Sequence, residues 1–142
     1  MMSNGRKLTY VDSDVLRAAF KGNQDISSAA WKILDDSSRS FVSSVFLELE
    51  LLPKPCCFKK TDERTFLEFF FARADTHIEA SEQLARLALE EAKRIGLAAM
   101  DALHVASAAQ AGAIELVTGE LETKPIFRTR LVKVISLRAG RS

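Results

Sequence analysis

Carboxylates supply most of the chemistry this chain can offer, and they fall where open α/β folds build sites. Asp12 directly follows the apolar run 8–11, and Glu120 follows Val117-Thr118 across the single Gly119. Asp101 sits in the first turn of a helical stretch over about 99–111, as its one acid, and Glu48 and Glu50 lie on a helix that begins near Val45. In an open parallel sheet, sites form beyond the carboxyl ends of the strands, so Asp12 and Glu120 face one crevice if their strands are neighbours. Glu48 and Glu50 stand about 200° apart around their helix, so only one of them can share that crevice. Each acid also has a purely structural explanation. Asp12 and Asp14 suit helix N-caps, Asp101 suits the positive end of a helix dipole, and Glu120 suits a turn.

Several carboxylates held a few ångström apart raise one another's pKa unless a cation neutralises them. With only two histidines and with Cys56 and Cys57 adjacent, a tetrahedral zinc site of nitrogen and sulfur ligands is poorly supplied. Oxygen ligands suit Mg²⁺ or Mn²⁺, ions that work on phosphates. Metal-assisted phosphoryl or phosphodiester chemistry is therefore the expectation from the residues alone.

The elements that must position these acids alternate. Residues 8–11, 40–42, 114–118 and 132–137 are short apolar strands. Helices are expected from about Ser13, then through Ala30, Trp31 and Leu34, then over 45–52 up to Pro53 and Pro55, and over 61–74, 81–95 and 99–111. Gly96 and Gly112 follow the last two. Such alternation implies an α/β protein with a parallel sheet covered on both faces. Phe66, Leu67, Phe69, Phe70 and Phe71 cover about half of one helix, wider than a one-sided core contact needs, which makes Phe66, Phe69 and Phe70 candidates for a partner or dimer surface. Trp31 is expected in the core, Cys56 and Cys57 as ordinary thiols in a loop, and His104, one turn from Asp101, as a buried hydrogen-bonded histidine.

At 142 residues the chain fits a single domain, 1–142, with 1–7 and 139–142 expected to be flexible ends. With 47% hydrophobic and 27% charged residues the composition is that of a soluble globular protein, and no apolar run reaches the length of a membrane span. The amino-terminal residues lack the apolar core of a secretory signal, and the cysteines cannot staple distant segments, so a cytoplasmic location is expected. Net charge is +1, yet residues 123–142 carry six cations and no acid, which permits a basic rim beside an acidic centre as readily as a solubilising tail.

Two families resemble the stretch around Asp12. Tyr10-Val11-Asp12-Ser13-Asp14-Val15 resembles the strand and DxDx(T/V) motif of haloacid-dehalogenase-like phosphatases, with Phe41-Val42-Ser43-Ser44 as a second motif. Asp12 would then be the nucleophile and Asp14 the general acid. Against it, Gly119-Glu120 lacks the expected aspartate pair, the helix before it opens with an acid where a lysine would serve, and no segment could form a cap. The chain resembles PIN-domain ribonucleases, including the VapC-type toxins, almost end to end. The matching motifs are Val11-Asp12-Ser13-Asp14-Val15-Leu16, then the stretch from Val42-Ser43-Ser44 to Glu48-Leu49-Glu50-Leu51, then Met100-Asp101-Ala102-Leu103-His104-Val105-Ala106, and last Leu116-Val117-Thr118-Gly119-Glu120.

The PIN resemblance implies a three-layer α/β/α fold with a central, mainly parallel sheet of four or five short strands. It implies Asp12, Glu50, Asp101 and Glu120 as catalytic, metal-binding acids, with Glu48 in reserve for Glu50, because Ser44 to Glu50 matches the family's interval. Asp14 stands where asparagine is usual and Glu120 where aspartate is more frequent. Ser13, Asp14 and Thr118 are implied as supporting groups. The implied activity is Mg²⁺- or Mn²⁺-dependent hydrolysis of RNA phosphodiesters, leaving a 5′ phosphate and a 3′ hydroxyl. Lys54, Lys59, Lys60, Lys124, Arg128 and Arg130 are the cations nearest in sequence to the acids and so the candidates for RNA contacts. A cognate antitoxin and a homodimer are the implied partners. A catalytically silent PIN-like interaction module is the remaining alternative, but it predicts lost acids, and all four positions are filled.

Overall fold

The first strand shows why the chain alternates. In Lys7–Val11 (β1), Tyr10 and Val11 point to opposite faces and both are fully buried, as happens in a strand covered on both sides. The computed structural model describes residues 5–138. After β1 come helices Ser13–Lys21 (α1) and Gln24–Leu34 (α2) and strand Arg39–Ser44 (β2). Helices Val45–Leu51 (α3), Pro53–Cys57 (α4) and Thr61–Arg73 (α5) lead to strand Thr76–Ile78 (β3). Helices Glu82–Ile95 (α6) and Ala99–Ala111 (α7) precede strand Glu115–Thr118 (β4), a 3₁₀ turn at Pro125–Arg128 and strand Lys133–Ser136 (β5).

The five strands form one sheet in the order β3-β2-β1-β4-β5, with every pairing parallel. The chain therefore steps outward from β1 through β2 to β3 and then returns to β4 on the other side of β1. That reversal opens a crevice at the carboxyl ends of β1 and β4. Val11 pairs with Val117, so Asp12 and Thr118 arrive at the crevice side by side. Tyr10 reaches α7 on one face, while Val117 and Ile135 lie with Ala29 and Ile33 of α2 on the other. Tyr10, Val42, Leu116, Val15, Leu16, Leu47, Leu84 and Val105 form the centre of the core.

Helix ends follow the chemistry of their residues. Asn23, Ser44 and Ser81 each cap a helix with a side-chain oxygen that accepts from a backbone N–H three residues on. Gly96 and Gly112 close α6 and α7 at φ 78° and 75°, a conformation that disfavours residues with a Cβ.

Several expectations change. Beyond the four expected strands, β3 completes the sheet at one edge. Pro53 and Pro55 do not simply stop a helix: Pro53 opens α4 at its first position, where a missing N–H costs nothing, so Cys56 and Cys57 lie in a short helix, exposed and unlinked. Lys7 belongs to β1 rather than to a flexible end, whereas 1–4 and the expected flexible end 139–142 lie outside the described residues. Trp31 is 38% exposed, its indole N–H held by the Ala19 carbonyl at 2.9 Å. Phe70 is not a surface residue: it packs inward against Phe41 and Phe71, because α5 must cover the sheet as well as α1 and α4.

Candidate functional site

Asp12 is at once a cap and a candidate site residue. Only 5% exposed, it accepts the Ser13 N–H on Oδ1 at 2.8 Å and the Thr118 hydroxyl on Oδ2 at 3.1 Å. Thr118 in turn accepts the Glu120 N–H at 3.2 Å, so one hydroxyl ties Asp12 to the loop that carries Glu120. Asp14 accepts the Gly119 N–H at 3.0 Å and fixes the same loop from the α1 side. A Cβ at Gly119 would lie 3.0 Å from that carboxylate, so a larger residue there would push on Asp14.

Of the two glutamates on α3, Glu50 faces the crevice. Its Oε1 lies 2.6 Å from Nε2 of His104, and its backbone carbonyl accepts from Arg17 at 3.2 Å. Glu48 turns toward β3 and lies 3.6 Å from Nε2 of His77, whose Nδ1 bonds to Ser43. His104 is the buried, hydrogen-bonded histidine expected from the sequence, 1% exposed: its Nε2 is also 3.9 Å from Asp12, and its Nδ1 bonds to the Tyr10 hydroxyl at 2.6 Å. Asp12, Glu50 and His104 each offer a ligand atom within 4.8 Å of the others, a spacing that a divalent ion can occupy. Asp101 stands outside this triad but within electrostatic reach of Glu50 and His104, while Glu120 acts on Asp101 and Asp14.

The remaining candidates scatter. Lys124 lines a furrow with Glu120 and Asp14, whereas Arg128 bonds to the Ile95 carbonyl at the end of α6. Lys54, Lys59, Lys60 and Arg130 are exposed. Phe66 packs between Phe20 and Trp31, while Phe69 is 60% exposed under Arg73. Phe66, Phe69, Trp31 and Phe41 border a groove of about 270 Å³ that holds none of the crevice acids.

One chain of VapBC2 from Rickettsia felis, solved on a DNA fragment from its promoter, superposes with a TM-score of 0.68 at 18% identity, over 91% of this chain and 98% of that one. A toxin–antitoxin complex from Klebsiella pneumoniae gives 0.69 at 19%, over 91% and 97%. FitAcB from Neisseria gonorrhoeae gives 0.60 at 20%, over 92% and 99%. The fold is PIN-like. No protein-family model and no curated relative matches the sequence, so the likeness rests on the fold alone.

Acids at the two ends of this PIN-like sheet are treated differently. At the amino end, buried Glu115 is held by Arg39 at 2.7 Å and by the Thr9 hydroxyl at 3.0 Å, so it is a satisfied structural charge. At the carboxyl end, no Lys or Arg forms an ion pair with Asp12, Asp14, Glu50, Asp101 or Glu120 among the described residues. Burial raises the Asp12 carboxyl and Asp101 raises it further, while His104 opposes both. Asp101 is raised by burial and by Glu120, Asp14 and Glu50, with His104 again opposing. Burial and Asp12 push Asp14 up to about 7. The hydrogen bond from His104 instead holds Glu50 below the usual range.

A pH dependence follows. Between the ordinary aspartate value near 4 and about 7, where Asp14 titrates, the folded metal-free protein holds more protons than the unfolded chain, so its stability falls as pH rises. The depressed carboxyls of Asp36, Glu50 and Glu91 act mainly below about pH 5, under the range from about pH 5 to 8. In EDTA, thermal unfolding should show a higher midpoint at pH 5 than at pH 8, a difference on the order of 2 kcal/mol. In excess Mn²⁺ the order should reverse, because ligands must be deprotonated to bind. A midpoint that rises with pH in EDTA would refute this.

Proposed function

We propose that this protein is a Mg²⁺- or Mn²⁺-dependent endoribonuclease, acting in the cytoplasm as the toxin of a toxin–antitoxin pair. The observation that carries this is the carboxyl-end cluster, whose aspartates raise one another's pKa with no Lys or Arg paired to them, in contrast with Glu115 and Arg39 at the other end. Such a cluster is the environment that a divalent cation relieves. The donor set fits: Asp12 and Glu50 offer carboxylate oxygens within common reach beside His104, and Asp101, raised by Glu50 and Glu120, adds to the same negative charge. An ion bound there supplies charge neutralisation and Lewis-acid activation at a phosphodiester. The chain's own part is to hold Asp12 by Ser13 and Thr118, to hold the Glu120 loop by Asp14, and to orient Glu50 by His104.

The proposed antitoxin contact is the groove beside Phe66 and Phe69, where exposed aromatic rings border a cavity remote from the acids. A homodimer is proposed with it. The DNA and the partner chains of the similar structures belong to those proteins, and the likeness of fold supports the toxin reading here. No helix among the described residues is long and apolar enough to cross a membrane.

A phosphatase would need cationic or amide groups around a nucleophilic Asp12 to receive the phosphate. The Ser13 N–H and Thr118 hydroxyl are already engaged by Asp12 itself, His104 is bonded to Glu50, and the other charged neighbours are Asp14 and Asp101. Labelled single-stranded RNA and p-nitrophenyl phosphate, each incubated with the protein in Mn²⁺ and in EDTA, separate the two chemistries. RNA cleavage in Mn²⁺ alone is expected. Turnover of only the monoester would end the ribonuclease proposal.

A further inference from the structure

Beside the acids, two adjoining hollows of about 270 and 330 Å³ share Asp14, Gly119 and Arg138 and so form one open furrow. Arg17 and Lys21 of α1 line one part, Lys124 lines the other, and Arg138 stands between, giving four cations against the two acids Asp14 and Glu120. Three elements distant in sequence deliver these charges.

Their hydrogen bonding is incomplete in a telling way. Arg138 donates from Nε to the Gly119 carbonyl at 2.6 Å, and Arg17 donates to the Glu50 carbonyl at 3.2 Å and, weakly, to Ser13 at 3.4 Å. These acceptors are uncharged. Among the described residues, Arg17, Lys124 and Arg138 form no ion pair, whereas Lys21 pairs with Glu63 at 3.4 Å. A guanidinium has five donors, so both arginines keep most of theirs for an outside acceptor, in the planar arrangement that suits phosphate. The acids at the floor of the furrow would repel a polyanion, but they are the groups that a bound cation neutralises.

We propose that this furrow is the track along which a single-stranded RNA leaves the acidic centre, its phosphates held by Arg138, Lys124 and Arg17. A single strand suits it because its flexible backbone can follow cations spread along an open furrow beside the acids. The role of the furrow rests on the ribonuclease reading, and the tests separate the two.

Two measurements serve: fluorescence anisotropy of a short labelled single-stranded oligoribonucleotide in EDTA, and cleavage of the same RNA in Mn²⁺. Lys124→Gln and Arg138→Gln are each expected to weaken binding about five-fold and to lower the salt slope by about 0.7, the share of one single-strand phosphate contact. In cleavage they should raise KM with kcat unchanged. Arg138→Lys, which keeps the charge but loses the planar fork, should keep the wild-type salt slope and fall between wild type and Arg138→Gln in affinity. Lys93→Gln, in an exposed pair with Glu90 on α6, should change nothing. Wild-type affinity, slope and KM in both glutamine variants, while cleavage proceeds, would overturn the track alone. RNA binding that depends on the furrow without any cleavage would uphold the track and overturn the nuclease. A protein that neither binds nor cleaves RNA overturns both, and furrow-dependent binding of duplex DNA in preference to the single strand overturns the assignment to RNA.

Discussion

Asp12→Asn should reverse the order of stability between metal-free and metal-loaded protein while abolishing cleavage. Asp12 is buried in contact with no Lys or Arg, and Asp101 adds repulsion to the cost of burial. Asparagine keeps the bond from the Ser13 N–H through its carbonyl oxygen, and its amide can donate to the Thr118 hydroxyl oxygen once that hydroxyl turns away. Removing the charge should therefore stabilise the protein in EDTA at pH 8 by roughly 1–3 kcal/mol. In Mn²⁺ the wild type gains about 2.7 kcal/mol at a hundred times its Kd, and the variant forgoes most of that gain. Wild type should thus unfold first in EDTA and last in Mn²⁺. The lost Lewis-acid contribution, several kcal/mol at the transition state, corresponds to a fall in kcat/KM of at least about 100-fold. Thermal unfolding with and without metal reads the crossover. A variant less stable than wild type in both conditions would mean that Asp12 is chiefly a helix cap.

How far the sequence exposed this arrangement depends on what each element relies on. β1, β2, β4 and β5 were legible because runs such as Leu8–Val11 are buried on both faces and so read as continuous apolar segments. β3 was not: Thr76-His77-Ile78 is a three-residue edge strand paired with Val42, Ser43 and Ser44, and although Thr76 and Ile78 are β-branched, three residues are too few to show a strand period. The crevice acids could be named from their places after strands. The choice between Glu48 and Glu50 could not be made from helix geometry alone, because a separation of about 200° excludes one without saying which. The neighbours decide it, His77 for Glu48 and His104 for Glu50. The cations were judged by nearness in sequence, which found Lys124. Arg17 and Arg138 come to the furrow through the reversal of strand order, and only the folded sheet makes them neighbours.

His104→Gln and Glu50→Gln should damage the same step, and the hydrogen-bond chain behind them says how. Burial raises the Tyr10 pKa, so its phenol stays protonated. Ser44 Oγ already accepts the Leu47 N–H at 3.1 Å, which leaves its own hydrogen for the Tyr10 oxygen at 2.8 Å. The phenol hydrogen then goes to Nδ1 of His104 at 2.6 Å, and the imidazole carries its hydrogen on Nε2, donated to Glu50 at 2.6 Å. Every hydrogen in this assignment meets an acceptor. The opposite tautomer would aim a lone pair at a carboxylate and leave the Ser44 hydrogen without a partner. His104 is thus a positioning residue that holds Glu50 toward Asp12. Groups of this kind are worth about 10- to 100-fold in metal affinity or activity. Glu50→Gln, which removes a carboxylate from the cluster, should exceed that range in lost kcat, His104→Gln should fall within it, and Glu48→Gln should stay near wild type. Because the defect lies in the geometry of the acids rather than in RNA contacts, KM for RNA should be unchanged in His104→Gln while Mn²⁺ affinity by calorimetry falls. Tyr10→Phe should follow His104→Gln in direction with a smaller loss, since it releases the tautomer without removing the ring. Mn²⁺ affinity at the wild-type level in His104→Gln, with a lowered melting temperature only, would reduce His104 to a core residue and leave Glu50 to be oriented by Arg17 and Ser13 alone.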